Sequence, residues 1–192
     1  MLQLVYAYAP TKNHKGEYER AFGLNQSLPW GHISQDLKNF KARTENTNLI
    51  MGAKTFMSLK SRLPGRMHIV IQDQTRLNAK TQDGCAADHY ISQEVFQQFL
   101  EGTLDLGYDD KNYSVIGGPA LLEQALPYAN RIVLTIISKK HYVCSDVKLS
   151  TEFAERVSVM TTTEFEPVES HFYRIDELTS ITETVYEVLC SN

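Results

Sequence analysis

Two stretches constrain this chain more than any other: "NLIMGAKTF" (48–56) and "YSVIGGPALLEQAL" (113–126). Each is a short apolar, β-branched run that meets glycine and then a helical pattern. A strand that turns straight into a helix leads to a crossover, and repeated crossovers build parallel strands covered by helices. Similar runs at 2–8, 67–71 and 131–137 supply further strands. Helical patterns lie at 34–43 with Ser34 as cap, at 54–59 and at 120–125. Another spans 92–100, with Ser92 as cap and Val95, Phe96 and Phe99 on one side. The last third is richer in Thr, Val, Phe and Tyr, and 157–165 and 168–175 read as two antiparallel strands at one edge.

The expected fold is therefore α/β: one domain over 1–192, its central sheet mixed but mostly parallel. An antiparallel C-terminal edge and helices on both faces complete it. No internal repeat, low-complexity tract or long linker divides the chain. Residues 12–18, 78–88 and 101–111 are polar and turn-rich, and read as surface loops.

Composition excludes several function classes. With 42% hydrophobic and 22% charged residues the chain is ordinary for a globular protein, and its net charge of −4 offers no general attraction to nucleic acid. No apolar run approaches a membrane span, and "MLQLVYAYAP" lacks the basic start and cleavage site of a signal peptide. The three cysteines, Cys85, Cys144 and Cys190, are far apart and form no CxxC pair. The histidines form no HxxxH pair. A zinc deaminase signature is absent as well. A cytoplasmic, metal-free protein is expected.

The chemistry-bearing positions follow from spacing. Glycine at a strand-to-helix turn lets a phosphate approach backbone N–H groups, and two such turns at the carboxyl edge of a parallel sheet suit a dinucleotide. Lys54 and Thr55 add a charge and a hydroxyl to the first turn. The phosphate loop of nucleotide kinases is excluded, because it needs glycine directly before the lysine and Ala53 stands there. In "LPWGHISQDLKNFKART" (28–44), Ile33, Leu37, Phe40 and Thr44 share a helical face, and Asp36 lies on its shoulder. An acid in a first helical turn is usually a solvated charge favoured by the dipole. Here Leu28, Pro29, Trp30, Ile33, Leu37 and Phe40 would wall it with apolar surface, so a hydrogen-bonding partner is needed. A flat heterocycle with adjacent N–H donors meets that need. In "LPGR" (63–66), Arg66 heads a strand after a turn and could fork onto a carboxylate.

Taken in order, "LPW" (28–30), "DLKNFKART" (36–44), "IMGAKTF" (50–56), "LPGR" (63–66), "VIGGPALLEQALP" (115–127), "IVLTII" (132–137) and "SHFYRID" (170–176) resemble dihydrofolate reductase over nearly the whole chain. "AFGLNQSLPWG" and "IMGAKTF" look most like the enzymes of large tailed phages.

The resemblance implies reduction of 7,8-dihydrofolate to tetrahydrofolate by hydride transfer from NADPH, in support of thymidylate and one-carbon metabolism. It implies that Asp36 binds the pterin's amino and ring N–H edge, with Trp30 helping to order the water that delivers a proton. Val5, Ala7, Leu28, Leu37 and Phe40 would surround pterin and benzoyl ring, Thr135 would bond near the acid, and Arg66 would clamp the glutamate α-carboxylate. Ala7, Gly52, Lys54, Thr55, Ser58, Ile71, Ile116, Gly117, Gly118, Pro119 and Ala120 would contact NADPH, with a cis peptide at Gly117–Gly118. Residues 23–32 correspond to a mobile loop. Antifolate-type ligands would compete with dihydrofolate, and the state would be monomer or homodimer in the cytoplasm, the host's if phage-encoded.

Departures from the family pattern fall at the cofactor's 2′-phosphate. Ala53 and the Gln72–Asp73 pair replace basic or hydroxyl residues, and Lys54 or Arg76 would have to supply the charge. Two alternatives stay open: a pyrimidine reductase of riboflavin synthesis on the same fold, and a non-catalytic structural or interaction protein on that scaffold.

Overall fold

The computed structural model describes residues 1–108 and 111–189. Cys190 and two positions of the 101–111 loop, Asp109 and Asp110, lie outside the described residues. In chain order the elements begin with β1 (Leu2–Lys12), β2 (Tyr18–Gly23), α1 (Ser34–Thr44), β3 (Asn48–Gly52), α2 (Ala53–Ser58) and β4 (His68–Ile71). Then come β5 (His89–Ile91), α3 (Gln93–Leu100), β6 (Tyr113–Val115), α4 (Pro119–Ala125) and β7 (Arg131–Lys139). The last are β8 (Val147–Lys148), α5 (Thr151–Thr163), β9 (Phe165–Arg174) and β10 (Thr179–Val188). This is the α/β class with a mixed sheet, parallel in its central strands and antiparallel at its C-terminal ones.

The chain forms two compact units. The first comprises Met1–Leu4 and Thr44–Ala129. Its strands run in the order β5-β4-β3-β6-β1 and are all parallel. Leu49, Ile50 and Met51 of β3 are fully buried in succession, as are Ile69 and Val70 of β4. Such unbroken apolar runs belong to strands covered on both faces. Phe56 from α2, Phe96 from α3 and Leu122 from α4 are buried with them. Ser92 caps α3 as expected, its hydroxyl accepting from the Val95 N–H at 3.2 Å.

The second unit comprises Val5–Arg43 and Asn130–Asn192, of which residues up to 189 are described. Its main strands follow the order β1-β7-β10-β9, and β2 pairs antiparallel with both β1 and β8. Ala9, Ala21, Trp30, Ile33, Ile137, Val143 and Ile181 form a core cluster. Residues 12–18 form less of a loop than expected, because β1 runs on to Lys12 and pairs with β2 from Tyr18. The turn between them is closed by Asn13, whose Oδ1 accepts from the Lys15 and Glu17 N–H groups.

Two local expectations are corrected. Residues 157–165 are not a strand: α5 runs to Thr163 and only Phe165 begins β9. The Ser150 hydroxyl caps α5 by accepting from the Phe153 N–H at 3.0 Å. Phe153 and Val157, four residues apart, bury one helical face. The Thr161, Thr162 and Thr163 hydroxyls donate back to the carbonyls of Val157, Ser158 and Val159, a local bond that lets threonine sit in a helix. Packing and capping thus override the β-propensity of the threonine run. Ser34 is not the cap of α1 but its first residue. The Leu37 N–H bonds to the Ile33 carbonyl, and the Ser34 hydroxyl lies 3.3 Å from His32 Nε2.

Candidate active site

In the second unit, Asp36 occupies the first turn of α1 and is 6% exposed. The indole Nε1 of Trp30, equally buried, donates to Asp36 Oδ2 at 3.1 Å. Burial pushes the Asp36 carboxyl above its ordinary value. The Trp30 bond pulls it back, and the carboxylate of Glu183 raises it again. Trp30 therefore meets part of the hydrogen-bonding need that the sequence left open, and Oδ1 accepts nothing from the described residues. Val5 is buried, Ala7 packs on the cluster that contains Trp30, and Phe40 is half-buried. Leu28 and Leu37 are 38% and 40% exposed, large apolar side chains on the two segments next to the acid. Thr135 is buried on β7, directly across from Glu183 on β10.

Sequence reasoning missed Arg43 and Glu183. Glu183 is 2% exposed, and Arg43 donates to its Oε1 through Nε at 3.0 Å and Nη2 at 2.8 Å. Arg43 Nη2 also reaches Glu169 Oε2 at 2.7 Å. The available signal was an arginine seven residues after Asp36, hence on the same side of the helix. No pattern in the sequence singled out its partner.

In the first unit the two glycine turns meet. The Gly52 N–H donates to the Gly117 carbonyl at 2.9 Å, and the Gly117–Gly118 peptide is cis, as the resemblance implied. Gly52 and Gly118 precede α2 and α4 and offer no side-chain cap. A Cβ on Gly118 would stand 3.7 Å from Thr55 Oγ1, so glycine there leaves open the space in front of the threonine hydroxyl. Gly117, at φ 129°, holds a backbone angle that L side chains rarely adopt. Pro119 opens α4 with Ala120 exposed beside it, while Ile71 and Ile116 are buried at the ends of β4 and β6. Ser58 donates to the Thr55 carbonyl at 2.6 Å, and Lys54 is exposed.

A cavity of about 480 Å³ opens beyond β4 and is lined by residues 71–74 and 92–94. Asp73 and Glu94 are its charged groups. Asp73 Oδ1 accepts from the Thr75 N–H and hydroxyl, and Arg76 lies 3.7 Å from its Oδ2. Arg76 is thus directed at Asp73. Arg66 follows the Gly65 turn (φ 71°), donates through Nη1 to Thr44 Oγ1 at 2.7 Å, and has its pKa lowered by burial.

A parallel sheet on which two glycine turns meet, in a chain that also holds a buried acid bonded to an indole, is compatible with a reductase acting on a small heterocycle. A profile of the dihydrofolate reductase family matches residues 15–186. The chain belongs to the dihydrofolate reductase family. It is 34% identical to dihydrofolate reductase type 9 of Escherichia coli over 131 residues, covering 67% of this chain and 70% of that protein. It is 35% identical to the dihydrofolate reductase of Bacillus subtilis over 118 residues, 62% of each. Its fold is similar to a solved dihydrofolate reductase from Enterococcus faecalis, complexed with NADP(H) and RAB-propyl. The TM-score is 0.67 at 23% identity, covering 98% and 96% of the two chains. Membership in this family does not favour the pyrimidine-reductase or non-catalytic alternatives.

Proposed function

We infer that this chain reduces 7,8-dihydrofolate to 5,6,7,8-tetrahydrofolate with NADPH, and that residues 1–192 act as one reductase domain. The observation that carries the reading is the Asp36–Trp30 pair: a buried carboxylate with one oxygen held by an indole and the other accepting nothing from the described residues. Such a carboxylate takes a hydrogen bond from the pterin amino group at Oδ1 while Oδ2 turns toward the ring N–H. Leu28 and Leu37 lose their exposure when the pterin and benzoyl ring cover them, alongside Val5, Ala7 and Phe40. Arg66 holds the glutamate α-carboxylate, and Thr135 supports the acid from β7.

NADPH supplies the hydride when bound. The residues present fit it: Gly52, Gly117 and Gly118 bring backbone close to a pyrophosphate, and the opening at Gly118 faces the Thr55 hydroxyl. Lys54 and Ser58 flank that cradle, with Ile71, Ile116, Pro119 and Ala120 around it, and Ala7 contacts the nicotinamide end. No side chain of the site is assigned to protonate N5. Trp30 orders the water that brings the proton, and the raised Asp36 carboxyl favours uptake of that proton near the pterin.

Antifolate-type compounds bind in place of dihydrofolate. The site of action is the cytoplasm; among the described residues no helix is long and apolar enough to cross a membrane. "AFGLNQSLPWG" and "IMGAKTF" support a tailed-phage affinity, which neighbouring phage structural genes would strengthen and a bacterial chromosomal setting would remove. The direct test follows absorbance of the reduced nicotinamide with dihydrofolate, NADPH against NADH. Oxidation is expected, and none with either cofactor sinks the reading.

A further inference from the structure

The ion pair between half-buried Arg43 and buried Glu183 has no part in holding the pterin or the cofactor as proposed above. Seven residues of helix separate Asp36 from Arg43, about 10 Å along the axis, and helical side chains lean toward the N-terminus. Arg43 thus stands on the helix that carries Asp36, and its Nε and Nη2 both donate to Glu183 Oε1. Glu183 lies directly across from Thr135 in the β7–β10 register. The same Arg43 Nη2 also donates to Glu169 of β9, which lies 3.8 Å from Arg131. Apolar side chains could join helix to sheet at this spot with equal or better stability, because burying ions costs desolvation. An ion pair kept there asks for a role that apolar groups cannot fill.

We propose that Arg43 and Glu183 are positioning residues for Asp36: their pair ties α1, the helix that carries the acid, to β10 and fixes where the Glu183 carboxylate sits. The Glu183 carboxylate raises the Asp36 carboxyl further above its ordinary value, on top of burial, and the Trp30 hydrogen bond opposes the rise. Glu183 disfavours a second negative charge nearby, and Arg43 limits that repulsion by drawing the carboxylate into its fork. Proton affinity at Asp36, raised first by burial, is thereby adjusted further from the sheet side.

The inference rests on the reductase reading, but its test does not need turnover. Trp30 is the single tryptophan and donates to Asp36, so its emission titrates with that acid in the free protein. Glu183→Gln keeps shape and removes the charge. The emission midpoint is expected to fall by several tenths of a pH unit, and the acid limb of the kcat profile to move the same way. A midpoint unchanged or raised overturns the proposal. Should Glu183→Gln not fold, Glu183→Asp withdraws the charge by one methylene and is read by the same criterion, with a smaller fall. Wild-type protein inert toward dihydrofolate would remove the reductase reading while leaving the Trp30 titration to judge the pair.

Discussion

The indole of Trp30 and the carboxylate of Asp36 are joined by a hydrogen bond of 3.1 Å, and each side chain is 6% exposed. Six residues apart in sequence, one precedes α1 and the other lies in its first turn. The bond stabilises the ionised acid and offsets part of the rise that burial causes at Asp36.

Replacing Trp30 by Phe keeps the apolar body and deletes the donor. The Asp36 carboxyl then rises further, and the acid limb of kcat/KM moves to higher pH. A pH profile superimposable on wild type would show that the bond does not govern the acid.

Asp36→Asn is expected to trade activity for stability. The folded-state pKa of Asp36 lies above its unfolded value. Its contribution to stability is thus complete below the unfolded carboxyl pKa of about 3.9 and is lost as pH rises through the folded value. The Asn variant should melt higher than wild type at about pH 8, with the gap closing toward pH ~4, while turnover at neutral pH drops on the order of 10²-fold or more. Thermal melts at both pH values check the sign.

Arg66 is half-buried and donates to Thr44 Oγ1 at 2.7 Å. Arg66→Leu should raise KM for dihydrofolate while leaving a pterin without the glutamate little changed. Equal losses with both substrates would assign Arg66 a purely structural part.

Lys54 is the exposed cation beside the glycine cradle, whereas Arg76 lies 3.7 Å from Asp73 Oδ2. Lys54→Ala should weaken NADPH more than NADH, read as dissociation constants from quenching of Trp30. Matching losses would place the 2′-phosphate away from Lys54.

His68 is fully buried in β4, with Nε2 accepting from the Leu63 N–H at 3.0 Å. Burial lowers its pKa, Arg62 adds to the fall, and Asp88 opposes it. A lowered histidine contributes stability above its unfolded pKa of about 6.5, and that contribution is lost as pH falls through the folded value. The urea midpoint should therefore decline on acidification below about pH 6.5, and less steeply in His68→Gln. Parallel declines would exonerate the imidazole.

Much of the architecture was legible because its signals are local. The runs of 48–51 and 67–71, the glycines at 52 and 117–118 and the Ser92 cap each specify a conformation within a few residues, and β3, β4, α2, α3 and α4 formed where those signals stood. Asp36 was legible for the same reason, since an acid on the shoulder of an apolar stripe is visible at helical spacing. The helix over 151–163 was not. Its Thr-Val run carries a strand's propensity, and only the Ser150 cap with burial of Phe153 and Val157 turned it to helix.

What the sequence determined by itself is the set of parallel strands, the two glycine turns and the place of Asp36 on the shoulder of an apolar stripe, because short-range sterics and periodicity encode them. The tertiary structure alone decided what surrounds that acid. The link from Arg43 to Glu183 spans 140 residues, and the Thr135–Glu183 register depends on how β10 pairs with β7. Neither follows from any local rule, since a buried carboxylate is given its partner by packing rather than by its neighbours in the chain.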